Sequence, residues 1–295
     1  MSLDLNPRQR AMLREMNVPV WWPKPVAPIV APQPVMAQPA RLVIPLASKP
    51  VHQIESRAPS QSTPQSAPQP APLSARTRPP DSAPTSASTL SWPALQQAVS
   101  GCQACALCEG RKQTVFGVGQ PAPDLQNAPQ VDWLIVGEAP GENEDRTGEP
   151  FVGQAGQLLD NMLKAMGLSR RDNVYIVNVI KCRPPGNRNP ETSEIAQCEP
   201  YLRRQIELLQ PKVILAMGRY AANSLLQLGM PDVHKTPLGK LRGQVYGYAS
   251  NAPNRSVTIP VVVTYHPAYL LRNLPEKAKA WADLCLAMQV MKQQG

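Results

Sequence analysis

No stretch of this chain strings together the roughly 18 apolar residues that a membrane-spanning helix needs, so nothing in it is expected to cross a bilayer. The N-terminus, from Met1 to Asn6, lacks a basic stretch followed by an apolar core. No secretory signal is therefore expected, and a reducing cytoplasm is. Acidic side chains are scarce at the start. The first 90 residues hold only Asp4, Glu15, Glu55 and Asp81, against nine Lys or Arg. Histidine occurs three times and phenylalanine twice, so each one must be placed individually. There is no internal repeat.

What is present falls into three parts. Of 35 prolines, 18 lie in the first 90 residues. Residues 23–91 are rich in Pro, Ala, Ser and Gln and read as a disordered, extended tether. Residues 1–22 contain a short island: Asn6 caps a helix, Pro7 suits its first position, and Met12, Leu13 and Met16 share one face. Trp21 and Trp22 follow it, as in a peptide that folds onto a partner. From Trp92 to residue 295 the chain is apolar and periodic, about 200 residues, enough for one core. The net charge of +9 divides as +5 over the first 90 residues and +4 over the rest. A mildly basic domain with a basic tail suits a polyanion such as nucleic acid.

Within 92–295, strands and helices alternate. Strands are expected at 133–136, 174–180, 213–217 and 257–264. Helices are expected at 155–166, 192–209, 220–228 and 275–291. The near-continuous apolar runs of the strands predict a parallel sheet covered on both faces, an α/β class.

Four constellations carry chemistry. Cys102 and Cys105 form a CxxC pair, Cys108 follows, and Cys182 and Cys198 lie far downstream. In a reducing compartment such thiols hold zinc or an iron–sulfur cluster, or remain a redox pair with core thiols. Cys285 reads as core. The segment GEAPGENED, residues 137–145, ends a strand where open α/β sheets bind ligands, and its acids order a water or a metal. Phe151 sits among Gly and Pro, as a base-stacking platform does. Asn178, inside a strand, either satisfies itself locally or faces a ligand with both donor and acceptor edges. The basic loop carrying Arg183 and Arg188 suits phosphate contact. After the last strand, His266 precedes Leu270, Leu271 and Arg272, read as an exposed apolar wedge beside a phosphate-binding arginine.

In this order these segments resemble the family 4 uracil-DNA glycosylases, the iron–sulfur branch of the uracil-DNA glycosylase superfamily. The match runs roughly from Cys102 to Met291. The resemblance implies a three-layer α/β/α sandwich with a central, mainly parallel sheet, and a [4Fe–4S] cluster held by Cys102, Cys105, Cys182 and Cys198. Cys108 falls where the family needs no ligand. By the same resemblance Phe151 stacks on a flipped uracil, Asn178 reads its Watson–Crick edge, and His266 donates toward uracil O2. Glu138 and Ala139 line the pocket. Glu144 places or activates the water, although the motif lacks the aspartate of the best-known uracil glycosylases. The expected activity is hydrolysis of the N-glycosidic bond in single- or double-stranded DNA, leaving an abasic site. No lysine is placed as a Schiff-base nucleophile, so no strand cleavage is expected. The loop after Cys182 lacks the histidine of the related covalent branch. The alternative is a non-catalytic iron–sulfur or zinc DNA-binding protein on the same fold. The island at 4–22 has a shorter resemblance, to the N-terminal peptide by which the psi subunit of bacterial DNA polymerase III binds the chi subunit.

Overall fold

The computed structural model describes Glu15 and residues 87–119, 131–171, 173–249 and 258–294. The remainder of the peptide at 4–22, with its chi-subunit reading, and the tether as far as residue 86 lie outside the described residues. Ala87–Thr89, which composition places in the tether, forms a short 3-10 helix with Ala87 in the core. Among the described residues no helix is long and apolar enough to cross a membrane.

Among the described residues six strands form one sheet: β1 Val118–Gly119, β2 Trp133–Gly137, β3 Val174–Asn178, β4 Val213–Met217, β5 Val245–Tyr248 and β6 Ile259–Thr264. Their order is β1-β3-β2-β4-β6-β5. The four central strands are parallel, and the two edges, β1 and β5, run antiparallel to their neighbours. The four central strands are those the apolar runs predict. The edge strands are not foreseen, because β1 is two residues long and β5 is largely exposed.

Side chains alternate across a strand, and here both sides are buried. Leu134 and Val136 of β2, with Tyr175 and Val177 of β3, face a core covered by helices Trp92–Ser100, Thr192–Leu209 and Arg219–Leu226. Trp133 and Ile135, with Val174 and Ile176, face the helices Gln154–Met166 and Lys277–Gln294. Three layers follow directly. Helix Gln154–Met166 buries Leu158, Leu159, Met162, Leu163 and Met166, and Gly167 ends it in the left-handed conformation at φ 78°. Burying each of those leucines contributes about 1.5–3 kcal/mol. The β3 strand stops two residues short of the expected Ile180, at the point where the Lys181 ammonium takes the Asn178 carbonyl at 2.8 Å.

Candidate active site

All four parallel strands end at one edge of the sheet. There β2 runs into Glu138, β3 ends in Asn178, β4 runs into Gly218, and β6 leads to Tyr265 and His266. The strand order reverses between β2 and β4, the position where open sheets leave a crevice. A cavity of about 650 Å³ opens at it, lined by Glu138, Ala139, Glu144, Phe151, Asn178 and His266, with Arg188, Tyr265 and Arg272 also contributing.

Phe151 forms one wall. Its φ of 56° lies in the left-handed region, which costs an aromatic residue about 1–3 kcal/mol and persists only where the surroundings enforce it. They do so here. The Arg170 guanidinium donates to the Pro150 carbonyl at 2.9 Å and to the Phe151 carbonyl. Glu144 Oε1 accepts from the amides of Val152 and Gly153 at 2.9 and 3.0 Å, and its Oε2 accepts from Gly141 at 3.1 Å. With both oxygens accepting from backbone amides, Glu144 ties the Phe151 loop to the turn at Gly141. Gly156 completes the arrangement, because a Cβ there would collide with the Phe151 carbonyl. Gly156→Ala is therefore expected to destabilise the fold by about 1–3 kcal/mol, measured as a lower urea midpoint. An unchanged midpoint would mean that the loop yields freely.

The Phe151 ring packs on His266 with centroids 5.4 Å apart and an interplanar angle of 29°. His266 caps the short helix Pro267–Arg272, its Nδ1 accepting from the Ala268 amide at 3.2 Å. Nδ1 therefore carries no proton, and Nε2 is the N–H donor of the neutral ring. Burial, reinforced by the Arg272 guanidinium, holds this imidazole down at about 4. Asn178 is only 2% exposed, yet its Oδ1 has no hydrogen-bond partner among the described residues. Buried polar atoms are nearly always paired, so an orphaned one at a cavity wall marks a place for a ligand. A Cβ on Gly137 would run into both Asn178 Oδ1 and the Phe151 ring, so glycine there lets these two side chains approach the end of β2. Glu138 accepts from the Tyr220 amide at 3.0 Å, and burial raises its carboxyl above the usual range.

The expected DNA-contacting residues divide. Arg188 reaches the cavity but pairs through both terminal nitrogens with Glu194, at 2.6 and 2.9 Å. Arg183 lies outside the cavity, against Asn187 at 2.7 Å and Glu142 at 3.4 Å. Arg272 lines the cavity. The paired-leucine wedge needs correction: Leu270 is fully buried in the core, and only Leu271 is exposed. The segment is helical, and successive helical residues point about 100° apart, so the two leucines cannot share a face.

Across the sheet, Cys102, Cys105, Cys108, Cys182 and Cys198 line one small cavity together with Arg111 and Lys181. Arg111 donates to Cys182 Sγ at 3.3 Å, and the Lys181 amide to Cys198 Sγ at 3.3 Å. Burial pushes the Cys198 thiol up to about 12 and raises Cys182 and Cys105 as well. Cys285 lies apart, in the closing helix.

Arg170, Gly156, Arg111 and Lys181 are the positions that sequence reasoning misses. Arginine and glycine next to a recognised motif carry no signal of their own, since each acts through a backbone carbonyl or an approach visible only in the fold. Lys181, lying between Asn178 and Cys182, is the one whose position in the sequence offers a hint.

The family model of the uracil DNA glycosylase superfamily matches residues 123–285. The chain is 41% identical over 179 residues to a type-4 uracil-DNA glycosylase of Sulfurisphaera tokodaii, covering 61% of this chain and 75% of that protein. It is 42% identical over 183 residues to one of Saccharolobus solfataricus, covering 60% and 76%. A third, from Thermotoga maritima, is 37% identical over 203 residues, 68% of this chain and 95% of its own.

Proposed function

The chain belongs to the uracil-DNA glycosylase superfamily, and from that footing we propose that it removes uracil from DNA by hydrolysing the N-glycosidic bond. The observation that carries the pocket assignment is the orphaned Asn178 Oδ1 beside Phe151 and His266. A carbonyl oxygen lacking a donor suits the N3–H of uracil, while the amide nitrogen of the same side chain suits O4. The target base reaches such a pocket only when flipped from the stack, and Phe151 then supplies a rigid stacking plane.

Breaking the bond sends its electron pair to the base, and negative charge gathers on uracil O2. A preorganised donor at that oxygen is the largest lever available, and the Nε2–H of neutral His266 is that donor. Water attacks C1′ and passes its proton to a base. Glu138, whose carboxyl burial raises, fills this role better than Glu144, which is occupied by three amides. Leu271 and Arg272 face the duplex, as wedge and phosphate contact.

The thiol cavity fits an iron–sulfur cluster. It gathers cysteines far apart in sequence and supplies N–H donors to two of their sulfurs. Among the described residues no three His, Cys, Asp or Glu stand close enough to share one ion. Cys102, Cys105, Cys182 and Cys198 would hold [4Fe–4S], whose contribution is to fix the loops around the pocket. Iron and acid-labile sulfide, rather than zinc, are the expected contents.

The deciding experiment is an assay of single-stranded, U·G and U·A oligonucleotides with a thymine control, using alkali to reveal abasic sites. Release should be fastest from single strands and U·G, where unstacking costs least, with no break before alkali. Iron-loaded protein that makes no abasic site would leave only a binding module.

The pH profile tests the state of His266. Its folded value of about 4 lies below the usual 6.5, so between those values the unfolded chain binds the extra proton. The associated stability is present above pH 6.5 and is lost as pH falls toward 4. The rate should therefore pass through 6.5 without a histidine step. A step at 6.5 that disappears in His266→Asn would show that the imidazolium is the working form.

A further inference from the structure

Lys181 is 1% exposed, and both acceptors that its ammonium reaches are neutral: the Asn178 carbonyl at 2.8 Å and Gln205 Oε1 at 2.6 Å. Gln205 is itself fully buried and is held in turn by donating to the Phe116 carbonyl at 2.9 Å. A buried cation needs a counter-charge to repay its lost hydration, and neither acceptor provides one. The same lysine lines the thiol cavity, and its backbone amide donates to Cys198 Sγ. Four thiolates around a [4Fe–4S] core leave a net negative charge at that spot. Arg111, donating to Cys182 Sγ, is the second cation beside it.

We infer that Lys181 is a positioning residue which couples the cluster to base recognition: the cluster holds its ammonium, and the ammonium holds Asn178. Nζ takes the Asn178 carbonyl at the point where the strand ends, and this holds the backbone from which the Asn178 amide enters the uracil pocket. The cluster thus acts on recognition without touching the base. The inference rests on the proposed roles of the thiol cavity and of Asn178.

The test compares wild type with Lys181→Met, which removes charge and donor, and with Lys181→Gln, which removes the charge but keeps a donor for the Asn178 carbonyl. Iron and sulfide per chain, the cluster's midpoint potential, and kcat and KM on a U·G oligonucleotide are measured for each. Both variants should shift the potential to more negative values, because a cation beside the cluster favours its reduced form. Lys181→Met should lose roughly 10- to 100-fold in kcat/KM, the usual effect of losing a supporting partner, and Lys181→Gln should recover part of that loss. Unchanged potentials would overturn the inference whatever the activity, since a packing role alone would not move them. Shifted potentials with wild-type kcat and KM would overturn the link to Asn178. Failure of both variants to take up iron would also overturn it, leaving Lys181 a role in assembly alone. A wild type that releases no uracil would instead sink the proposed function.

Discussion

Replacing His266 with alanine is expected to lower kcat for uracil release by about 100- to 1,000-fold while KM stays nearly unchanged, the signature of a donor that acts in the transition state. In the ground state uracil O2 is an ordinary carbonyl, and a neutral N–H gains little from it. As the glycosidic bond opens, that oxygen takes up charge, and the same N–H becomes worth roughly 2.7–4 kcal/mol. The geometry prepares it for this task. The Ala268 amide fixes the tautomer, burial keeps the ring neutral, and the Phe151 ring fixes its plane. His266→Gln, which can present an N–H from a different atom, should recover only part of the loss. Single-turnover kinetics on a U·G duplex would separate chemistry from product release. A variant whose KM rises while kcat holds would place His266 in binding instead.

Asn178→Ala is expected to move activity and stability in opposite directions. The two hydrogen bonds that its amide makes to uracil, at about 1–1.5 kcal/mol each, amount to roughly 30- to 150-fold in kcat/KM. Discrimination against cytosine, which presents the reverse pattern at its edge, should collapse along with them. In the free protein, however, Oδ1 is buried without a partner, at a cost of about 1–3 kcal/mol. Removing it should leave the urea midpoint equal to or above that of wild type, as when a site is maintained at the expense of the fold. A variant that loses stability would show that Asn178 serves packing first.

The scaffold could be read from the sequence because burial on both faces turns parallel strands into unbroken apolar runs. Helix Gln154–Met166 could be read from its 3.6-residue spacing and its terminal Gly167. The edge strands could not, since a two-residue pairing and a solvated strand leave no pattern. Glu138, Asn178 and His266 were recognisable as rare or polar residues at strand ends and Phe151 as a rare aromatic in a Gly/Pro loop, and they do meet in one cavity. Other assignments turned on facts outside any motif. Leu270 looks like Leu271 until the helix rotates one of them inward. Nothing in the motif tells that Glu144 accepts from the amides of the Phe151 loop, and Arg188 looks free until Glu194 pairs with it. Neighbouring letters do not report which partner is nearer in space.

The pocket draws one wall from the end of each of the four parallel strands, and those strands align only when the whole sheet is in register. A chain in which any one of these four strands is missing or out of register lacks a wall of the pocket. Each abasic site is a lesion in its own right, so an enzyme that makes them is hazardous whenever its recognition is loose. Here the topology couples recognition to folding: the residues that select the base and those that act on it are brought together by the same strand pairings, so losing the register is expected to remove both at once.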